Sequence, residues 1–129
     1  METILGLELK RKRTCANLSL KNLAEFVGCT APYLHKIEHG RTAPTNHIFL
    51  EKLAGALMLP ESEHAQFIEF AYESQRTIRL HKDASADSVR IINRIAKFLP
   101  KLNNEDLQML EIILWNAEKK MEGNKMSIS

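Results

Sequence analysis

The chain has 129 residues, of which 44% are hydrophobic, 26% charged and 6% aromatic, and its formal net charge is +2. That length fits one compact core with a small appendage, and the apolar fraction is too high for a disordered chain. Unbroken apolar runs such as Ile112–Trp115 are far shorter than the roughly 20 residues that a membrane span needs. The N-terminus has no long apolar stretch of the kind found in signal peptides, so we expect a cytoplasmic protein that makes no membrane contact.

The positive charge is concentrated in the first third of the chain. Residues 1–45 contain seven Lys or Arg against four Asp or Glu, residues 46–82 contain four against five, and residues 83–129 contain seven against seven. The densest basic run is Lys10–Arg13, and such a run alone is more often a solvated helix face than a binding site. All of the net positive charge therefore lies in the first third of the chain, without indicating a partner by itself.

Helix boundaries are clearly marked in the first 40 residues. Residues 5–16 predict a first helix, and Ser19 is a good N-cap for a second helix that ends at Gly28. Thr30 caps a third helix, which ends at Gly40. The connection between the second and third helices is short, and a glycine there can adopt positive φ and let one helix turn across the other.

The rest of the chain is predicted to be helical with one interruption. Apolar residues at helical spacing predict helices over residues 46–58 and 60–74. Residues 75–88 lose this spacing and are expected to form a linker or the entry to the next helix. Two more helices are predicted over residues 89–99 and 103–121, and Asn103 is the N-cap of the last one.

One pattern extends through residues 5–58 in a single register. It consists of Leu5-Gly6, Ser19-Leu20-Lys21-Asn22-Leu23-Ala24, Gly28-Cys29-Thr30, Tyr33-Leu34, Lys36-Ile37-Glu38, Gly40-Arg41, Pro44 and Leu53-Ala54. This pattern resembles the helix-turn-helix of the phage-repressor/Cro-like (XRE) family of DNA-binding regulators. The resemblance implies an all-α fold with a five-helix repressor-like helix-turn-helix domain in residues 1–82. The two helices predicted from apolar spacing in residues 83–129 are expected to form a C-terminal hairpin.

The third helix is implied to read DNA. In this motif the second helix of the pair enters the major groove, and its N-terminal residues face base edges. The base-facing candidates carried over from the family are Ala31, Pro32, Tyr33, His35 and Lys36. Lys36 can donate to guanine O6 or N7, whereas Ala31 and Pro32 offer apolar contact, for instance to a thymine methyl group. For Tyr33, a partly packed position on the helix is the alternative to a DNA contact.

Phosphate contacts are expected where free backbone N–H groups and the helix dipole favour anions. The candidates near helix N-termini are Ser19, Asn22 and Thr30, and those in the loop after the third helix are His39, Arg41 and Thr42. Leu20 stands where many family members carry glutamine, so the chain lacks that side-chain contact. Positions such as Arg13 and Glu38 pair across the first and third helices in the family, which implies an internal salt bridge here.

Enzymatic and metal sites are not indicated. No phosphate-binding loop, nucleophile elbow or dinucleotide fingerprint occurs in the sequence, so we expect a non-enzyme without a cofactor. His35 and His39 have a spacing that can chelate a metal ion, but no HExxH pattern or Cys-x-x-Cys pair accompanies them. No metal site is therefore predicted.

The two C-terminal helices carry more apolar surface than a single hairpin contact uses. Ile91 and Phe98 lie off the main apolar face of their helix, as do Ile112 and Trp115 in the last helix. A second face needs a second partner, so these four residues are predicted to form a dimer or partner interface. Packing of both helices on the N-terminal core is the alternative.

Together these features favour a sequence-specific regulator of transcription that binds double-stranded DNA. Operators of this class are commonly palindromes that two-fold dimers read, so a homodimeric repressor on an inverted repeat in a bacterial, phage or mobile-element promoter is the leading hypothesis. The alternative is an antitoxin, or a regulator that acts mainly by binding a protein partner, which Ile112 and Trp115 would contact.

Overall fold

The computed structural model describes residues 2–128 and, among side chains, those of residues 2–124. Its α-helices are α1 (Ile4–Cys15), α2 (Leu20–Val27), α3 (Ala31–Glu38), α4 (His47–Ala56), α5 (Glu61–Tyr72), α6 (Ala86–Phe98) and α7 (Asn104–Ile128). A short 3₁₀ turn, Leu99–Lys101, stands between the last two, and no strand occurs in the described residues. The predicted all-α fold is therefore confirmed. The chain divides into two compact units, Met1–Ile78 and Arg79–Ser129.

Helix N-termini begin at the side chains that the sequence marks as caps. The Ser19 hydroxyl accepts a hydrogen bond from the Asn22 N–H at 3.0 Å, and the Thr30 hydroxyl accepts one from the Tyr33 N–H at 3.3 Å. Asn103 accepts from the Asp106 N–H at 2.8 Å, and the Asp106 carboxylate accepts from the backbone N–H of Asn103 at 3.1 Å. Each bond satisfies a backbone donor that has no partner within the helix.

The hydrophobic core lies in the first unit and is built by α1 to α5 together. Its largest fully buried side chains are Leu5, Leu9, Leu23, Leu34, Ile37, Leu50, Leu53 and Phe67. Burial of one such side chain contributes about 1.5–3 kcal/mol, so this core dominates the stability of the unit. Two of its members, Leu34 and Ile37, lie on α3 and fix the inner face of that helix.

The end of α5 belongs to this unit as well. Ser74 is buried, where its hydroxyl accepts a hydrogen bond from the Leu5 N–H at 3.0 Å and donates one to the Phe70 carbonyl at 2.6 Å. These bonds join the start of α1 to the end of α5, which lie 69 residues apart in the sequence.

Two helix boundaries in the second unit differ from the prediction. Helix α6 begins at Ala86 instead of residue 89, because the Ser85 hydroxyl caps it by accepting from the Ser88 N–H at 3.0 Å. Helix α7 continues to Ile128 instead of ending near Met121, since a single glycine lowers helix propensity without removing a hydrogen-bond donor. In the described part of the chain, no helix is both long enough and apolar enough to cross a membrane.

Candidate nucleic-acid interface

The turn between α2 and α3 depends on the backbone of Gly28. This residue has φ 84° and ψ 35°, a left-handed conformation that costs glycine little and other residues more. The N–H groups of Gly28 and Cys29 both donate to the Ala24 carbonyl, at 2.8 and 3.0 Å, and so end α2. Burial raises the pKa of the Cys29 thiol, so this side chain serves as an uncharged filler in the turn before Thr30.

A salt bridge fixes the C-terminal end of α3 to α1. The Arg13 guanidinium donates to the Glu38 carboxylate at 2.9–3.2 Å, through Nε and Nη2, and its Nη1 donates to the Leu18 carbonyl at 2.9 Å. The Glu38 side chain is only 3% exposed and that of Arg13 18%. The internal salt bridge implied by the family resemblance is thus confirmed. Together with the bond to Leu18, it joins α1 to α3 and to the connection between α1 and α2.

Helix α1 approaches α3 closely at Gly6. A Cβ atom on this residue would lie 2.6 Å from the Ile37 carbonyl oxygen and 2.7 Å from that of Glu38. Backbone atoms cannot move aside as the end of a flexible side chain can, so only glycine fits here. The sequence pattern includes Gly6, yet nothing in its local sequence indicates this contact.

The outer face of α3 collects most of the predicted base-facing residues. Pro32, His35 and Lys36 are exposed and Ala31 is partly exposed. Together with Leu20 and Arg41 these four line one shallow concavity of about 450 Å³. The structure therefore brings the start of α3 next to the start of α2 and to the loop that follows α3.

Tyr33 lies apart from the other base-facing candidates. Its ring packs edge-on against Phe49, with ring centroids 5.7 Å apart and planes at 73°, and it is half-buried. It lines a neighbouring concavity of about 540 Å³ with Asn46 and Lys52 among its other residues. Burial raises the pKa of the Tyr33 hydroxyl. The Tyr33 ring is therefore partly packed, as in the alternative to a DNA contact. Lys52 is a basic residue on this surface that the sequence did not indicate.

The predicted phosphate contacts fall into two groups. Ser19, Asn22 and Thr30 are exposed at the N-termini of α2 and α3, where the two hydroxyls are engaged in the caps. His39 and Arg41 are exposed after α3, whereas Thr42 is partly buried. Leu20 and Ala31, the first residues of α2 and α3, line one concavity with Arg41, so the two helix N-termini, which favour anions, lie next to that residue.

The loop that carries Arg41 and Thr42 is held by residues beyond α5. Arg76 Nε donates to the Gly40 carbonyl at 3.2 Å, and Gln75 Nε2 donates to the Ala43 carbonyl at 3.1 Å. The sequence places residues 75–88 outside any helical pattern and gives these two no role. Their bonds span 32 and 36 residues, so no local signal could have indicated them.

The two histidines at the end of α3 are neighbours. The rings of His35 and His39 have centroids 4.1 Å apart. Over the described residues, no His, Cys, Asp or Glu side chains form a group of three or more that could hold a metal ion. The pair therefore gives no ground to propose a metal site.

The four predicted interface residues of the second unit do not share one surface. Ile91 and Phe98 line an apolar groove between α6 and α7. Ile112 and Trp115 are 58% and 57% exposed and lie outside that groove. The Lys119 ammonium stands over the Trp115 ring, 5.4 Å from its centroid.

Comparison with known proteins identifies the first unit. Residues 4–67 match the family model described as a helix-turn-helix domain. The match includes all of α1 to α4, the turn at Gly28 and the core residue Phe67 of α5. A comparison with curated proteins finds no match for the chain. Residues 4–67 therefore form a helix-turn-helix domain.

Proposed function

We propose that the chain is a sequence-specific regulator of transcription that binds double-stranded DNA, of the XRE type and without enzymatic activity. The observation that carries this proposal is the exposed face of α3 within a helix-turn-helix domain, where Pro32, His35 and Lys36 stand beside Arg41. We further propose that it acts in the cytoplasm as a dimeric repressor of a bacterial, phage or mobile-element promoter.

Recognition of base edges would depend on the first turns of α3. The major groove, about 12 Å wide, admits one α-helix. Lys36 would donate to guanine O6 or N7, and His35 can donate or accept according to its tautomer. Ala31 and Pro32 have no side-chain hydrogen-bonding group and suit the methyl group of thymine.

Phosphate contacts would set the orientation of α3 in the groove. The exposed N-termini of α2 and α3 at Ser19 and Thr30 present N–H groups, and Arg41 presents a guanidinium beside α3. Arg76 and Gln75 would contribute indirectly, because they hold the backbone of the loop in which Arg41 stands.

Repression would follow from occupancy of an inverted repeat. Two domains related by a two-fold axis would place their α3 helices in successive major grooves, about 34 Å apart. A promoter covered in this way is closed to polymerase.

Selection of bound fragments from random duplex DNA tests the proposal. The expected product is a short inverted repeat with half-sites about one helical turn apart. Failure to enrich any sequence at moderate salt would refute sequence-specific binding.

Two substitutions then test the assigned roles. Lys36→Ala should relax sequence preference at one position of each half-site, at a cost of about 1–3 kcal/mol in discrimination. Arg41→Ala should weaken binding to all sequences and reduce the salt slope by about one per subunit. Lys82→Ala, which removes a charge outside the helix-turn-helix domain, is the matched control. An unchanged footprint and preference in Lys36→Ala would overturn the role of α3.

Binding of a protein partner is the second candidate function, as in an antitoxin or a regulator that sequesters another factor. Exposure of Ile112 and Trp115 outside the groove of the second unit favours it. A stable heteromer on purification, combined with no specific duplex binding, would support this candidate over the first.

A further inference from the structure

The second unit has no interior of its own. None of the described side chains of residues 79–124 is buried. Twelve of its large apolar side chains are 37–64% exposed, and they are Val89, Ile91, Ile92, Phe98, Leu99, Leu107, Met109, Ile112, Ile113, Leu114, Trp115 and Met121. Apolar patches larger than a few hundred Å² are rare on monomers, and short helices without packing are marginal in water. These two helices therefore need a partner.

The open surface is shaped as a groove between α6 and α7. It has a volume of about 490 Å³ and is lined mainly by apolar side chains, among them Ile95, Phe98, Leu102 and Leu110, together with one charged residue from each helix, Arg94 and Asp106. The apolar surface of α6 continues beyond it through Val89, Ile92 and Leu99. An arc this wide exceeds the stripe that one neighbouring helix covers.

The charges that border this surface are opposite on the two helices. Residues 86–101 contain four Lys or Arg against one Asp, whereas the first part of α7, residues 104–118, contains four Asp or Glu and no Lys or Arg; Lys119 and Lys120 follow it. The basic residues, spaced three or four apart and so aligned along one side of the helix, are Arg90, Arg94, Lys97 and Lys101. On α7 the acidic residues Glu111, Glu118 and Glu122 follow a similar stripe.

These charges are not paired between the helices of one chain. In the described part of the second unit, the ion pairs within helices are Arg90 with Asp87 and Lys119 with Glu122, and none joins α6 to α7. Among the described residues, neither Arg94 nor Lys97 lies within ion-pair distance of a carboxylate, and neither Glu111 nor Glu118 lies within that distance of a basic side chain. A partner that satisfies this surface must therefore present an acidic apolar helix to α6 and a basic apolar helix to α7.

A second copy of the chain presents both. We propose that α6 of one copy packs against α7 of the other, and α7 against α6, so that a two-fold dimer encloses the apolar surface of both second units. An isologous interface repeats each contact twice, which matches the basic α6 and the acidic first part of α7 in each chain. Burial of the apolar side chains supplies the affinity, while the charged borders select the partner and its orientation.

The exposed apolar side chains are numerous enough for such a dimer. A stable interface takes about 20–30 residues from each partner, and twelve large apolar side chains of the second unit, each at least 37% exposed, can form its centre. This inference adds an interface to the dimeric regulator proposed above. Its relevance to DNA binding rests on that proposal, whereas the contact between two copies of the chain is independent of it.

Charge reversal in the full chain tests the pairing. The first variant, Arg94→Glu/Lys97→Glu, makes α6 acidic, and the second, Glu111→Lys/Glu118→Lys, makes α7 basic. Alone, each should raise the dissociation constant of the homodimer at least tenfold in sedimentation velocity. An equimolar mixture should form a heterodimer, visible by native mass spectrometry, because every α6–α7 contact between the two chains again joins opposite charges.

The control Arg79→Glu/Lys82→Glu reverses two basic charges outside α6 and should leave the dissociation constant unchanged. Because a reversed variant can fail to fold, the neutral pair Arg94→Gln/Lys97→Gln is measured beside it and should weaken the dimer by a smaller factor. A wild-type chain that stays monomeric at micromolar concentration would overturn the inference. A mixture that stays monomeric would overturn it too, since the charges would then act within one chain.

The result separates this inference from the proposed function. If the mixture dimerises and no duplex is enriched from random DNA, the interface stands and the DNA-binding proposal fails. If a duplex half-site is enriched by a chain that stays monomeric, the DNA-binding proposal stands and the interface fails.

Discussion

Loss of the Arg13 charge should destabilise the domain through the carboxylate that it leaves behind. In Arg13→Met the aliphatic stem keeps much of its packing, but the bonds to Glu38 at 2.9–3.2 Å and to the Leu18 carbonyl at 2.9 Å are lost. The Glu38 side chain, 3% exposed, then carries a buried charge without its partner.

The size of the expected loss of stability follows from the burial of the Glu38 side chain. Removal of one partner of a buried ion pair costs about 3–5 kcal/mol. Because the Arg13 side chain is 18% exposed, water can enter part of the vacated space, and we expect the lower end, about 3 kcal/mol. At about 1.4 kcal/mol for each factor of ten, the unfolded fraction would rise by roughly two orders of magnitude.

Urea unfolding followed by circular dichroism measures this loss as a lower midpoint at unchanged slope. Arg13→Met/Glu38→Gln has no buried charge and should be more stable than Arg13→Met alone. Arg11→Met is the matched control: Arg11 pairs with Glu8 at 2.6 Å, but its side chain is 61% exposed, so the midpoint should not move. Equal unfolding midpoints for Arg13→Met and Arg11→Met would contradict this expectation. So would a double variant whose loss of stability equals the sum of the losses in Arg13→Met and Glu38→Gln.

Two further predictions concern packing and pH. Gly6→Ala should destabilise the domain by about 1–3 kcal/mol, because its Cβ would meet α3 backbone at 2.6 Å. Gly55→Ala lies in a helix with open space around the new Cβ and should stabilise the domain by about 0.5–1 kcal/mol. Thermal unfolding that shows the same change in stability for Gly6→Ala and Gly55→Ala would contradict this. A hydrogen bond from the His64 ring to Glu51 at 2.8 Å, then one to the Leu59 carbonyl at 3.0 Å, raises the pKa of His64. The contribution of His64 to stability is therefore complete below the ordinary pKa of histidine and is lost as pH rises through the raised value. His64→Gln should remove the fall of the unfolding midpoint over that pH range. A midpoint that depends on pH as in the wild type would contradict this.

Local features of this domain could be predicted from the sequence because cause and effect lie within one helical turn. Ser19 and Thr30 cap the helices that follow them, and Asn103 does the same for α7. Gly28 takes the left-handed conformation that the short connection between two helices requires. In each case a side chain or a glycine acts on backbone no more than four residues away, so its neighbours in the sequence are enough to indicate it.

Contacts between distant residues could not be predicted in this way. The approach of Gly6 to the end of α3 becomes visible only once α1 and α3 are packed. Likewise, the bonds from Gln75 and Arg76 fix a loop more than 30 residues earlier in the chain. Packing of Tyr33 on Phe49 also separates it from the other base-facing candidates on α3. The Arg13–Glu38 pair is the exception, because the family resemblance supplied the long-range information.

The distribution of basic charge gives the proposed dimer a role in DNA binding. Of the seven basic residues in residues 1–45, three are held in ion pairs, namely Arg11 with Glu8, Lys12 with Glu63 and Arg13 with Glu38. Few cations therefore remain for phosphates. Since each neutralised phosphate contributes a salt slope of about 0.9, one domain alone should bind DNA weakly. Two domains joined through α6 and α7 would engage two half-sites at once, and the effective concentration of the second would supply the affinity that bulk charge does not.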